Sequence, residues 1–134
     1  MVKSARELVM DASAHVESLP PESVARELAS GEVVLIDVRE PTEWEHHIAG
    51  AIQIPRGLIE FVADPECGPK LPPSLKFDLE PSQRVIVYCN SGARATLAAL
   101  TLKNMGYEQV ANLDGGLAGW QEASLPVTSH HAGI

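Results

Sequence analysis

The sequence contains few basic residues. Its 134 residues include 10 Lys and Arg against 18 Asp and Glu, which gives a formal net charge of −8. Nucleic acids and anionic membrane surfaces are bound through clustered Lys and Arg side chains. The composition therefore argues against both as main partners, but it does not exclude small anionic substrates, which respond to local charge.

Long hydrophobic runs and a rich set of cysteines are also missing. No segment reaches the roughly 18 consecutive apolar residues that a membrane span requires. The segment 1–13 carries four charged residues and no apolar stretch, so we expect that it is not a signal peptide. Two cysteines, Cys67 and Cys89, are too few for a disulfide scaffold. These absences predict a cytoplasmic protein in which Cys89 is a free thiol.

The remaining composition fits one folded domain. A single hydrophobic core usually takes roughly 100–150 residues, and 45% of this chain is apolar while only 21% is charged. Patterns of buried strands, such as 33–38 and 84–88, alternate with helical patterns, among them a short helix at 41–46 and one or two helical turns at 57–63. This alternation predicts an α/β domain with a mostly parallel sheet and helices on both faces.

We expect three parts along the chain. Residues 1–14 form an N-terminal helical extension, because four apolar side chains recur at i, i+3, i+4 and i+7 from Ala5. Residues 15–126 form the main domain. Within it, the proline-rich segment 64–82 is expected to be a long surface loop, which is often functional when it is that long. Residues 127–134 form a C-terminal tail that is expected to fray.

The turn from Cys89 to Arg94 joins a buried strand to a helical pattern rich in Ala and Leu. A thiolate in this position would face the positive end of the helix dipole. The intervening residues are small, so their N–H groups can surround an anion; they are Asn90, Ser91, Gly92 and Ala93. These features predict a nucleophile at Cys89, with Arg94 fixing the loop or adding charge. The alternative is an inert cysteine buried at a strand end.

Three segments resemble signatures of the rhodanese (thiosulfate sulfurtransferase) family. The turn Cys89-Asn90-Ser91-Gly92-Ala93-Arg94 is similar to the active-site loop of the family. The segments Leu35 to Pro55 (LIDVREPTEWEHHIAGAIQIP) and Leu113 to Trp120 (LDGGLAGW) are similar to its first and its C-terminal signatures. The chain has His46 and Gln53 where the family often has Gly and Asn. The resemblance implies a three-layer α/β/α domain around a mostly parallel five-stranded sheet.

The resemblance also implies a function. A sulfane sulfur would pass from thiosulfate or a persulfide to a thiophilic acceptor through a persulfide on Cys89, held by loop residues 90–94. The acceptor would be cyanide, glutathione or a protein thiol, and no metal or organic cofactor would be needed. Cysteine phosphatases and arsenate reductases of similar architecture are an alternative, but they resemble a Cys-x5-Arg pattern, whereas four residues separate Cys89 from Arg94. A regulatory module without catalysis is the third interpretation.

Four charged residues that follow strand ends are candidate supporting residues. The resemblance implies a structural role for Asp37 and Arg39 beside the loop, with Arg39 pairing with Glu43 or another carboxylate. The alternative is a partly exposed ion pair worth roughly 0–1 kcal/mol. Arg56 is expected either to flank the pocket and attract anionic donors or to have no such role, and Glu60 can pair with it if that turn is helical.

Other residues have simpler interpretations. Gly115-Gly116 is expected to allow a sharp turn between strand and helix. Cys67 would be either a resolving thiol for the Cys89 persulfide or an incidental surface cysteine. The pairs His46-His47 and His130-His131 lack further convergent ligands, so we expect no metal site.

Overall fold

The described part of the chain, residues 1–129 of a computed structural model, contains five α-helices and seven strands. The pair His130-His131 lies outside the described residues. The helices are α1 (Ala5–Ser13), α2 (Pro21–Ser30), α3 (Ile59–Ala63), α4 (Ala93–Asn104) and α5 (Gly116–Glu122). The strands are β1 (Glu17–Leu19), β2 (Val33–Asp37), β3 (His46–His47), β4 (Ile52–Gln53), β5 (Arg84–Tyr88), β6 (Gln109–Leu113) and β7 (Thr128–Ser129).

Five of these strands form one parallel sheet in the order β1-β6-β5-β2-β4. The central strand is β5, where Val87 lies between Ile36 of β2 and Asn112 of β6. The carboxyl ends of parallel strands meet at one edge of the sheet, and that edge is where α/β proteins bind their ligands. The residues that follow β2, β5 and β6 therefore lie at the same edge, and Cys89 is the first residue after β5.

Helices cover both faces of the sheet, as the fold-class prediction requires. On one face α3 and α4 pack on Val85, Val87 and Cys89. On the other face α2 and α5 pack on Ile86 and Tyr88. Successive side chains of a strand point to opposite faces, and a strand buried on both faces reads as a continuous apolar run. The prediction of a three-layer α/β/α domain with a five-stranded sheet is therefore confirmed.

The N-terminal helix lies outside these layers. Ser4 caps α1 and forms a capping box with Glu7, and the helix packs against α4. Of the predicted apolar face only Ala12 is buried, and Leu8 is exposed. Among the described residues, no helix is both long enough and apolar enough to cross a membrane.

Two local expectations are wrong. The predicted helix at 41–46 is one 3-10 turn, Pro41–Glu43, and the chain then extends into β3. The expectation of a frayed tail fails for Thr128 and Ser129, which form β7 and pair antiparallel with β3. The chain before β7 is tied down because the Trp120 indole N–H donates to the Pro126 carbonyl at 2.8 Å.

The proline-rich segment 64–82 is more than a surface loop. It contains two 3-10 turns, Gly68–Lys70 and Pro73–Leu75. Its apolar side chains pack against the core on the α3 and α4 face; they are Leu71, Leu75, Phe77 and Leu79. The segment therefore extends the core on that face before the chain enters β5 at Arg84.

Candidate active site

Cys89 lies at the junction of β5 and α4, as predicted, and its side chain is fully buried. Two backbone N–H groups point at its sulfur: Gly92 N lies 3.1 Å and Ala95 N 3.4 Å from Cys89 Sγ. The N–H groups of Ala93 and Arg94 belong to the first turn of α4, where a helix leaves its amides without internal acceptors. The sulfur therefore lies at the positive end of a helix and accepts hydrogen bonds from two backbone N–H groups.

Gly92 gives the loop its shape. It is the N-cap residue of α4 and has a φ of +112°, a conformation that residues with a Cβ rarely adopt. The Thr96 hydroxyl donates to the Gly92 carbonyl at 2.8 Å. The buried Asn112 amide donates in turn to Thr96 Oγ1 at 3.2 Å. This chain of hydrogen bonds from β6 through α4 keeps the Gly92 N–H directed at Cys89, and the sequence interpretation missed both Thr96 and Asn112.

Gly116 does more than permit a turn. The N–H groups of Leu117 and Ala118 donate to the carbonyls of Cys89 and Asn90 at 2.8 and 3.0 Å. This docking brings α5 so close that a Cβ on Gly116 would lie 2.5 Å from the Cys89 carbonyl oxygen. Gly116 also has a φ of +60°. The segment from Leu113 to Trp120 therefore holds the Cys89 loop in place through backbone hydrogen bonds.

Arg94 is held by Glu43 from the first family-like segment. Arg94 Nη1 and Nη2 donate to the two Glu43 carboxylate oxygens at 2.7 and 2.9 Å. The Glu40 N–H also donates to Glu43, at 2.9 Å. The hydrogen bonds from Arg94 lower the pKa of the Glu43 carboxyl to about 2, so Glu43 is ionised at neutral pH. The pair ties the last residue of the turn to the segment that follows β2.

Arg39 pairs with Asp37, and not with Glu43. Arg39 Nη2 lies 2.8 Å from Asp37 Oδ2, and the two side chains are 3% and 0% exposed. Arg39 also donates to the His46 carbonyl at 2.8 Å, and its guanidinium carbon lies 5.7 Å from the centre of the Tyr88 ring. The pair therefore joins β2, β3 and β5 beneath the loop, which is a buried structural contact and not an exposed ion pair.

The Arg56 side chain forms its hydrogen bonds with residues of α3 and α4. Its Nη1 donates to Glu60 at 3.1 Å, as the i, i+4 spacing predicts, and its Nη2 donates to Thr101 Oγ1 at 3.1 Å. Thr101 lies seven residues beyond Arg94 on α4, which is about 10 Å along the helix. The Arg56 side chain therefore links α3 to α4, and its contacts do not support the idea that it flanks the sulfur.

Cys67 and Cys89 lie at opposite ends of the sheet. Cys67 follows α3, whose last residue, Ala63, accepts a hydrogen bond from the Tyr107 hydroxyl just ahead of β6. A five-residue strand such as β5 is about 16 Å long, so the two thiols are not brought together. A hydrogen bond with Asp64 raises the pKa of the Cys67 thiol, which also disfavours a resolving role.

Comparison with known proteins adds a family and several relatives. The family model named Rhodanese-like domain matches residues 20–123. The chain is similar to a protein named Sulfurtransferase from Allochromatium vinosum, at 33% identity over 116 residues that cover 85% of this chain and 96% of that protein.

Two solved structures share the fold over 95% of this chain. One is a protein of unknown function from Rhodopseudomonas palustris, named a possible tyrosine phosphatase, with a TM-score of 0.80 and 29% identity over 96% of its chain. The other is a thiosulfate sulfurtransferase from Pseudomonas aeruginosa, with a TM-score of 0.73 and 30% identity. This chain covers only 23% of the Pseudomonas protein, so the likeness extends to one part of that larger protein.

Proposed function

Since the chain belongs to the rhodanese-like family, we propose that it is a sulfurtransferase in which the Cys89 thiolate accepts a sulfane sulfur and passes it on. The observation that carries the proposal is the pair of N–H groups, from Gly92 and Ala95, that point at Cys89 Sγ. Amide donors at a helix N-terminus form favourable hydrogen bonds with an anionic sulfur species. The similarity to a sulfurtransferase that the chain covers almost completely supports the same activity.

The first half of the cycle loads the cysteine. The Cys89 thiolate attacks the outer sulfur of the donor, an S–S bond forms, and the bond between the two donor sulfurs breaks. With thiosulfate the leaving group is sulfite; with a hydropersulfide R–S–SH it is the thiolate R–S⁻. The product is a Cys89 persulfide, and the first-turn amides of α4 would hold its outer sulfur.

The second half of the cycle unloads it. A nucleophile such as cyanide, glutathione or a protein thiol attacks the outer sulfur, and the electrons of the S–S bond return to Cys89 as a thiolate. Donor and acceptor use the same sulfur in turn, so the kinetics are ping-pong. Each step uses only the thiolate and the backbone of this chain, so the proposed cycle includes no metal or organic cofactor.

Mass spectrometry tests this function directly. The protein is treated with thiosulfate or with a small hydropersulfide, and the intact mass is measured before and after a reducing agent. We expect one reducible sulfur atom on the wild type and on Cys67→Ser, and none on Cys89→Ser. A wild type that gains no sulfur from either donor, or a Cys89→Ser variant that gains as much, refutes the proposal. Hydrolysis of an aryl phosphate by a protein that takes up no sulfur would favour the phosphatase alternative.

A further inference from the structure

The charge of the Cys89 loop is cancelled by a residue outside it. Arg94 is the one charged residue in the turn from Cys89 to Arg94. Both of its terminal nitrogens donate to Glu43, at 2.7 and 2.9 Å, and the two side chains are 39% and 33% exposed. The Arg94 guanidinium is therefore paired with a carboxylate beside the loop. Both side chains are partly exposed, so solvent and small anions can reach them.

The pair leaves the approach to Cys89 without a net positive charge from Arg94. The hydrogen bonds with Glu43 raise the pKa of Arg94, and the charges of Glu43, Cys89 and Glu40 act in the same direction. The exposed loop residues Asn90, Ser91 and Ala93 are neutral. A dianion that approaches Cys89 therefore gains little attraction from Arg94, because Glu43 screens it at close range.

The two donor classes differ in the charge that this site must accept. When a thiolate attacks thiosulfate, the transition state gathers three negative charges within a few bond lengths. When a thiolate attacks a hydropersulfide as neutral R–S–SH, the transition state carries one, and the products are Cys89–S–SH and R–S⁻. Backbone amides and a neutralised arginine suit the second reaction better than the first.

We propose that Glu43 is a specificity-determining residue that neutralises Arg94 and so favours hydropersulfide donors over thiosulfate. This inference rests on the proposed sulfurtransferase function. It explains why the carboxylate is fixed by three hydrogen bonds, from Arg94 twice and from the Glu40 N–H. Removing its charge releases Arg94 toward the anionic donor.

The test compares Glu43→Gln with the wild type in single-turnover loading. Gln keeps the size and the acceptor oxygen and removes only the charge. The rate of Cys89 persulfide formation is followed by rapid quenching and mass spectrometry, with thiosulfate and with cysteamine hydropersulfide as donors. We expect thiosulfate loading to rise about three- to tenfold at low salt, a gain that high salt reduces, while hydropersulfide loading changes less than about twofold. Glu45→Gln is the matched control, because it removes the same charge from an exposed position on the same segment and should change neither rate.

A second variant keeps the test decisive. Arg94→Gln leaves the Glu43 charge uncompensated, so it should slow thiosulfate loading more than hydropersulfide loading. Equal losses with both donors in Glu43→Gln and Arg94→Gln would show that the pair only holds the loop in place, which overturns the charge argument. An unchanged thiosulfate rate in Glu43→Gln overturns it as well. In either outcome the wild type still loads sulfur, whereas a failure of the proposed function would leave the wild type unloaded.

Discussion

Replacing Gly116 with Ala should displace the Cys89 loop from its position against α5. The added Cβ would lie 2.5 Å from the Cys89 carbonyl oxygen and 2.6 Å from the Asn90 carbonyl carbon. Both are backbone atoms, so no side chain can rotate away. Ordinary contact begins at 3.4 Å, and α5 and the loop must therefore separate by most of an ångström. The hydrogen bonds from Leu117 and Ala118 would then be lost or strongly weakened.

The size of the effect follows from three costs. A residue with a Cβ at positive φ costs about 1–2 kcal/mol. Two weakened hydrogen bonds cost about 1 kcal/mol each. We therefore expect Gly116→Ala to lower the free energy of unfolding by about 3 kcal/mol. It should also slow persulfide formation at Cys89 more than tenfold, because the two amides that point at the sulfur are displaced.

The matched control is Gly31→Ala. Gly31 has a φ of +79° with nothing within 4 Å of the added Cβ, so it carries the conformational cost without the close approach. Urea unfolding should show a loss of about 1–2 kcal/mol for Gly31→Ala and an unchanged rate of sulfur loading. If Gly116→Ala matches Gly31→Ala in stability and loads sulfur at the rate of the wild type, the docking of α5 does not shape the loop.

Three further predictions concern the contacts beneath and beside the loop. Thr96→Val removes the hydroxyl that donates to the Gly92 carbonyl, so sulfur loading should slow about fivefold, equivalent to about 1 kcal/mol. Thr96→Ser keeps the hydroxyl and should retain the rate. Equal rates in the wild type and both variants would contradict a role for this hydroxyl in shaping the loop. The pKa of Glu43 falls from 4.5 to about 2 on folding, so its contribution to stability is present above pH 4.5 and is lost as pH falls through 2. The difference in unfolding free energy between wild type and Glu43→Gln, at most about 1 kcal/mol after solvent screening, should therefore disappear over that pH range. A difference that stays constant with pH would refute the pairing. Asp37→Ala leaves the buried Arg39 charge without its carboxylate, so the free energy of urea unfolding should fall by about 3–5 kcal/mol. The partly exposed Arg56 serves as the control, and Arg56→Ala should lower it by less than about 1 kcal/mol. Equal losses of stability would be inconsistent with this difference in burial.

The features that are local in sequence could be predicted from it. The run from Val85 to Tyr88 is apolar on both faces, and the small residues after Cys89 come directly before a helical pattern. Adjacent residues alone therefore predict a strand, a turn and a helix N-terminus. The same alternation along the chain predicts the parallel sheet, because right-handed crossovers leave few other arrangements.

The pairing of charges could not be predicted in the same way. The sequence suggests Arg39 as a partner of Glu43, but the structure pairs Glu43 with Arg94, which lies 51 residues away. Sequence distance favoured Arg39, but the turn after β2 lets Asp37 hold Arg39 within the core and leaves Glu43 facing the loop. Such choices depend on how three elements pack, and no pattern within one element encodes that.

The support behind the loop has the same origin. The sequence predicts a sharp turn at Gly115-Gly116, and both residues have the positive φ angles of such a turn. The close approach of Gly116 to the Cys89 carbonyl becomes visible only once α5 is placed beside β5. Likewise, Asn112 and Thr96 belong to a strand and a helix of ordinary composition, and their hydrogen bond spans 16 residues.

The docking of α5 on the loop also sets the order in which the site is completed during synthesis. A chain emerges from the ribosome from its N-terminus, so Cys89 appears before Asn112, Leu117 and Ala118. Until those residues follow, the carbonyls of Cys89 and Asn90 lack their backbone donors and Gly92 lacks the support of β6. A chain that stops before α5 therefore carries the thiol without the surroundings that hold it, and that thiol is open to oxidation and to mixed disulfides.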